Sequence, residues 1–235
     1  MKRTMTAVLA AIVVATGAHA LTTTQSDGWV GDLGNVDATY TFNQFDDVGG
    51  TLILNSIEIL VEIEITGGQR TIDNDDTDGV VTGTVELGIN GGISSPHVSL
   101  VDLTLNPIGS GLSPNTSGSV TVDDDDGDTE VGGTPNVSVV GPDADTYTGG
   151  DDSENDSGFV APAAWAGYLG TGTYDIDADF TAYTDFTGFG GIQDAGEPPT
   201  TDGTVTVKYN YTQIPEPATS IFFVLAGLTL LRRRR

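Results

Sequence analysis

The sequence predicts an all-β protein, an antiparallel β-sandwich of jelly-roll or Ig-like kind around one core. Three observations lead there. Two long stretches, Ile57 to Ile65 and Tyr174 to Phe186, alternate between apolar and polar residues. A period of two marks a strand with one buried and one wet face. Gly, Pro and Asp clusters punctuate the shorter apolar runs, which sum to eight to ten strands. No long amphipathic helix and no repeat of fixed period interrupts them.

The chain opens on Met1-Lys2-Arg3, an apolar run from Ala7 to Ala15 and a small-x-small site at Ala18-His19-Ala20. This is the pattern of a secretory signal peptide over residues 1–20, with signal peptidase leaving a mature start near Leu21. The domain then spans residues 21–213. Ala38, Tyr40 and Phe42 alternate with Asp37, Thr39 and Thr41. After Asp46-Asp47-Val48-Gly49-Gly50 comes Leu52-Ile53-Leu54, then Ile57, Ile59, Val61, Ile63 and Ile65 on one face. Leu52 and Leu54 are on the other parity, so a β-bulge is expected near Asn55-Ser56. Glu and Leu would suit a helix there, but the β-branched residues and the strict alternation favour a strand.

Strands are expected at Val80 to Ile89, Val98 to Leu105, Ser119 to Val122 and Asn136 to Val140. Gly141 to Gly158, acidic and poor in apolar residues, reads as a long exposed loop. In the second long strand Tyr174, Ile176, Ala178, Phe180, Ala182 and Phe186 face the core, and Asp175, Asp177 and Asp179 face water. Gly188 to Asp202 reads as a connector with Pro198-Pro199, and Val205, Val207, Tyr209 and Tyr211 close the domain.

The C-terminal residues 214–235 read Ile-Pro-Glu-Pro-Ala-Thr, then a short apolar run, then Arg232, Arg233, Arg234 and Arg235. The run from Ala218 to Leu231 has 14 residues, about 21 Å as a helix. It spans a bilayer only where the lipid thins or arginine stems snorkel, and the arginines stay on the cytoplasmic side. Pro215 and Pro217 hold Glu216 in extended backbone just outside the membrane. In all three parts the tail resembles the PEP-CTERM sorting signal. The resemblance implies exosortase as a processing partner, Pro215, Glu216 and Pro217 as the sorting and cleavage motif, and transient residence of a short transmembrane sorting helix in the inner membrane. A plain short anchor is the competing account.

The resemblance extends into the domain. Phe42-Asn43-Gln44-Phe45-Asp46, Gly50-Thr51-Leu52 and the long strand look like the opening of the choice-of-anchor E domain. Gly167-Tyr168-Leu169-Gly170-Thr171-Gly172-Thr173 and the final Val-x-Val-x-Tyr-x-Tyr strand look like its later part. Residues from about Gly67 to Ala166 do not align. The family implies alternative surface anchoring and no enzymatic activity.

Of the 8 basic residues, six are Lys2, Arg3 and Arg232 to Arg235. Only Arg70 and Lys208 stand against all 34 acids, so the segment from Leu21 to Glu216 carries 2 − 34 = −32. Nucleic acid and anionic membrane are disfavoured by repulsion. The absence of cysteine removes thiolate chemistry and disulfide support. His97 is the one histidine after the leader, and no Gly-x-Ser-x-Gly elbow accompanies it, so no triad is expected. Among 34 acids some pair always has a glycosidase-like spacing, which makes that signal empty. Trp29, Trp165, Tyr168, Tyr183 and Phe189 read as core or strand-edge aromatics, with sugar stacking as the alternative.

No cofactor is expected, with one alternative. Asn74-x-Asp76-x-Asp78-Gly79 and Asp124-x-Asp126-Gly127 carry part of the oxygen spacing of a Ca²⁺ loop. Each lacks the twelfth-position Glu, so a looser Ca²⁺ site at Asp76, Asp78, Asp124 and Asp126 competes with two solvated turns. The functional expectation is an exported, exosortase-sorted surface or extracellular-matrix protein with a non-enzymatic structural role in exopolysaccharide or biofilm. The alternative is a carbohydrate-binding or adhesive module.

Overall fold

The computed structural model describes residues 19–74, 79–125 and 141–214. Twelve strands occupy them: β1 (His19–Leu33), β2 (Val36–Asn43), β3 (Leu52–Thr66), β4 (Gln69–Asn74), β5 (Val81–Ser94), β6 (Ser110–Leu112), β7 (Asn115–Val122), β8 (Ala144–Thr148), β9 (Asp151–Phe159), β10 (Thr173–Thr187), β11 (Ile192–Glu197) and β12 (Thr200–Gln213). A 3₁₀ turn at Pro162–Tyr168 precedes β10. One sheet has the order β1-β12-β3-β9 and the facing sheet the order β2-β10-β5-β6, with β7 also paired to β5. Every ladder is antiparallel. The molecule is an all-β sandwich, as the alternation predicts.

The core follows from that alternation. Ile57, Ile59, Val61, Ile63 and Ile65 of β3 pack against Tyr174, Ile176, Ala178 and Phe180 of β10 and Val205, Val207 and Tyr209 of β12. Fully burying each large aliphatic side chain contributes roughly 1.5–3 kcal/mol, so the five of β3 are a large share of the driving force. The parity change at Asn55 is a bulge: Asn210 pairs with Ser56 and Tyr211 with Leu54, and Asn55 is the extra residue.

A third sheet, β11-β4-β8, continues the first. Strand β4 follows β3 after Gly67-Gly68, β9 follows β8 after Gly149-Gly150, and β12 follows β11 after Pro198-Pro199. Main-chain bonds carry two of these strand pairs across the break, Gly67 N to Gly150 O at 3.0 Å and Gly149 N to Gly68 O at 2.9 Å. Gly68 has φ +82° and lies against the Pro199 backbone, where any Cβ would collide. The three doublets interrupt the strands at one level. Beyond them Ile72 closes a second, smaller core with Val85, Leu87, Val120 and Val122.

Three expectations fail. Val98 to Leu105 is not a strand but an irregular segment, held by bridges Val101–Pro107 and Asp102–Val160. Val98 and Leu100 still bury their side chains, so their spacing reports burial, not extended pairing. Gly141 to Gly158 is not a loop, since it holds β8 and β9. Gly188 to Asp202 holds β11 and the start of β12. Residues 19–33, with one buried apolar side chain in Trp29, form the long edge strand β1. Residues 136–140, where a strand was expected, lie outside the described residues.

Candidate functional site

Strand β9 shows how so acidic a chain stays folded. Its inward positions are Asp152, Glu154 and Asp156, opposite Ile65, Ile63 and Val61 of β3. Each carboxylate accepts a backbone N–H from the facing layer: Asn115 N to Asp152 at 2.9 Å, Ser113 N to Glu154 at 2.6 Å, Gly109 N to Asp156 at 2.7 Å. Charge-assisted bonds thus join the two layers at an edge where apolar contacts would otherwise be expected. On the wet face of β10, Asp175 and Asp177 accept the hydroxyls of Thr41 and Thr39, both at 2.7 Å. The two domain cations are engaged as well, Arg70 with Asp194 at 3.2 Å and Lys208 with Glu58 at 3.5 Å.

An open groove of about 460 Å³ runs along residues 93–100, Pro107 and Ile108. Ser95 and His97 on this groove meet Asp175 of β10, which lies 80 residues beyond Ser95 in the sequence. Their bonds run the wrong way for a nucleophile and base. Ser95 Oγ donates to the carbonyl of Asp175 and accepts the backbone N–H groups of His97 and Val98. His97 Nδ1 accepts the backbone N–H of Asp175 at 3.2 Å, so the neutral ring carries its proton on Nε2. The Asp175 carboxylate is 3.6 Å from Nδ1. Ser95 therefore caps a turn, and His97 fastens that turn to β10.

The aromatics read as core or edge are packed. Trp29 is stacked on Tyr40 and touches Phe180, with centroids 6.1 and 5.5 Å apart. Trp165 donates to Val160 O, and half-buried Tyr183 donates to Glu86 at 2.6 Å. Phe189 meets Phe186 edge-on. Tyr168 is fully buried in a polar knot that sequence reasoning missed. Tyr174 and Tyr209 share a hydroxyl bond of 2.8 Å, Tyr209 reaches Asn43 O at 3.1 Å, and Tyr168 reaches Ser99 O at 3.0 Å. Burial pushes all three phenols up, Tyr209 to about 12. Alternating positions marked Tyr174 and Tyr209 as core, but only the tertiary fold brings their hydroxyls together.

The described residues flanking the two acidic loops meet at the small-core end. Asn74 Nδ2 donates to Asp123 O at 2.7 Å, and Gly79 N donates to Asp124 Oδ1 at 3.1 Å. Asp124 is exposed, while Asp76, Asp78 and Asp126 lie outside the described residues. Among the described residues no group of three or more acidic or histidine side chains is arranged to hold a metal ion. Ala20 pairs with Thr212 at the start of β1. Ala18, the proline motif Pro215, Glu216 and Pro217, and Arg232 to Arg235 lie outside the described residues. No described helix is long and apolar enough to cross a membrane.

No family model matches the chain, and no curated protein matches it. Among solved structures, a chain of Desmodium yellow mottle tymovirus is 12% identical at a TM-score of 0.22, covering 92% of this chain and 94% of that one. A chain of infectious bursal disease virus, Gx strain, is 11% identical at 0.15, covering 85% and 42%. One of the empty head of turnip yellow mosaic virus is 10% identical at 0.15, covering 92% and 94%. Scores this low carry no argument about what this chain does.

Proposed function

We propose that the chain is an exported, exosortase-sorted protein of the cell surface or extracellular matrix, with a non-enzymatic structural role in exopolysaccharide or biofilm. The tripartite tail carries the reading: Pro215-Glu216-Pro217, then an apolar run, then four arginines. Signal peptidase acts at Ala18 and Ala20, the tail holds the chain in the inner membrane, and exosortase acts at the proline motif. The domain serves as a jelly roll related to choice-of-anchor E. A four-stranded layer in the order β1-β12-β3-β9 facing a five-stranded layer in the order β2-β10-β5-β6, with β7 also paired to β5 and every ladder antiparallel, supports that assignment.

The placement of the ends supports the processing route. His19 pairs with Gln213, so both processed segments leave side by side from one end of the sandwich. Mass spectrometry of the native protein tests the reading. A mature start near Leu21 and an end near Pro215 to Pro217 are expected. Intact Arg232 to Arg235 in most mature molecules would favour a plain anchor.

A further inference from the structure

We propose that, while the tail is in the membrane, the end of the sandwich from which it leaves rests on the bilayer surface through exposed apolar side chains. This rests on the membrane insertion proposed above. Strand β12 ends at Gln213, and Ile214 N bonds Thr51 O at 2.8 Å, which keeps the chain on the domain to that residue. Only Pro215, Glu216 and Pro217 separate it from the apolar run beginning at Ala218. An extended chain covers at most about 14 Å over that distance. The domain therefore sits within reach of the headgroups, and its terminal end faces them.

That end carries exposed apolar side chains. Val48 at the tip of the β2–β3 loop, Ile53, Leu169 and Ile214 are all exposed there, at 58%, 50%, 42% and 41%. Leu169 is fixed by its bridge to Phe45. On the adjoining flank Leu105 is 71% exposed, in the segment tied to the end of β9 by the Asp102–Val160 bridge.

The backbone holds two of these side chains outward. Val48 and Leu105 are the two described non-glycine residues with positive φ, 51° and 66°. Left-handed backbone is strained for both, for Val48 above all. Local acids hold it. Asp46 accepts the N–H of Val48, and Asp102 accepts those of Thr104 and Asn106. The Thr104 hydroxyl, then the Asn106 N–H, keep the Asp102 carboxyl below its usual range. These carboxylates are turned onto backbone, so the tips present hydrocarbon. Asn74, Gly79, Asp123 and Asp124, which flank the acidic loops, are at the opposite end, away from the headgroups. Apolar side chains set at the headgroup boundary by a short tether are the chemistry of an interfacial contact.

The chain has no cysteine, so single-cysteine labelling of the full chain tests this directly. An environment-sensitive fluorophore is placed by Val48→Cys, Leu105→Cys, Val80→Cys or Leu225→Cys, and each protein is reconstituted into phosphatidylcholine vesicles. Nitroxide lipids labelled at the headgroup or mid-chain supply the quenchers. The expected result is mid-chain quenching of the Leu225 label, with blue-shifted emission and headgroup quenching at Val48 and Leu105 but not at Val80. A quenched Leu225 label with Val48 and Leu105 labels as water-exposed as Val80 overturns the contact alone. An unquenched Leu225 label overturns the membrane reading and the contact with it. An unchanged circular dichroism spectrum of each labelled protein shows that folding is intact.

Discussion

Alkaline pH should unfold this domain through three phenols. Tyr168, Tyr174 and Tyr209 are 0%, 1% and 1% exposed, and desolvation is the first cause of each upward shift. Their folded pKa values are raised above the ordinary value of about 10. Their contribution is therefore fully present below pH of about 10 and is lost as pH rises through the folded values, about 12 for Tyr209. At pH 11 each phenol held neutral costs about 1.4 kcal/mol, and the three together about 4 kcal/mol. Against a total of roughly 5–15 kcal/mol for a small domain, a cooperative transition follows between about pH 11 and 12.

The assay follows phenolate absorbance and β-sheet circular dichroism together. Of the 7 tyrosines, three should ionise only as the sheet signal is lost. Half-buried Tyr183 is also raised, by burial and then by its bond to Glu86, but it can ionise without unfolding. Tyr174→Phe should lose about 1 kcal/mol at neutral pH with the bond to Tyr209. Its alkaline slope should fall by about a third, because one proton fewer is released on unfolding. Titration of all seven phenols near pH 10 with the sheet signal intact would refute the reasoning, as would an unchanged slope in the variant.

Three further outcomes are expected. Phe180→Asp places a charge in the closed core and should cost about 3–5 kcal/mol or prevent folding, whereas exposed Asp179→Asn should stay within about 0.5 kcal/mol by urea denaturation; equal losses would refute the assigned faces. Asp156→Ala orphans the Gly109 N–H and should cost about 1–3 kcal/mol and speed exchange of that amide, while Asp151→Ala on the outer face should do neither. Sodium chloride should raise Tm by screening a domain near −32; a further rise with CaCl₂ at matched ionic strength, lost in Asp124→Asn with Asp126→Asn, would assign an ion to the acidic loops.

Strands β3 and β10 and the bulge at Asn55 were legible because alternation and parity are properties of single strands. Strand β9 was not, since its inward period is Asp-x-Glu-x-Asp and the N–H groups that satisfy it come from residues 109, 113 and 115. Strand β1 hid for a similar reason: the side chains it turns inward beside β12 include Thr23 and Gln25. Val98 and Leu100 misled in the opposite direction, apolar and buried without a ladder, in a segment turned by Ser95 and Asp102. The glycine and proline doublets were visible as punctuation, but that they interrupt three strands at one level is a fact of register. The tail motif needs no partner to be read. The meeting of Ser95, His97 and Asp175 does, because β5 and β10 must first pair.

The position of β12 has a mechanical consequence. It is an interior strand, laddered to β1 on one side and to β3 on the other, and the tail continues directly from it. A pull on the tail along the strand would load both ladders in shear, so that many hydrogen bonds resist together. A tail leaving from an edge strand at right angles would peel the bonds one at a time. Under the proposed tail anchoring, load on the domain would pass through the middle of its four-stranded sheet, and the first part to give should be the thin edge held by the β9 carboxylates.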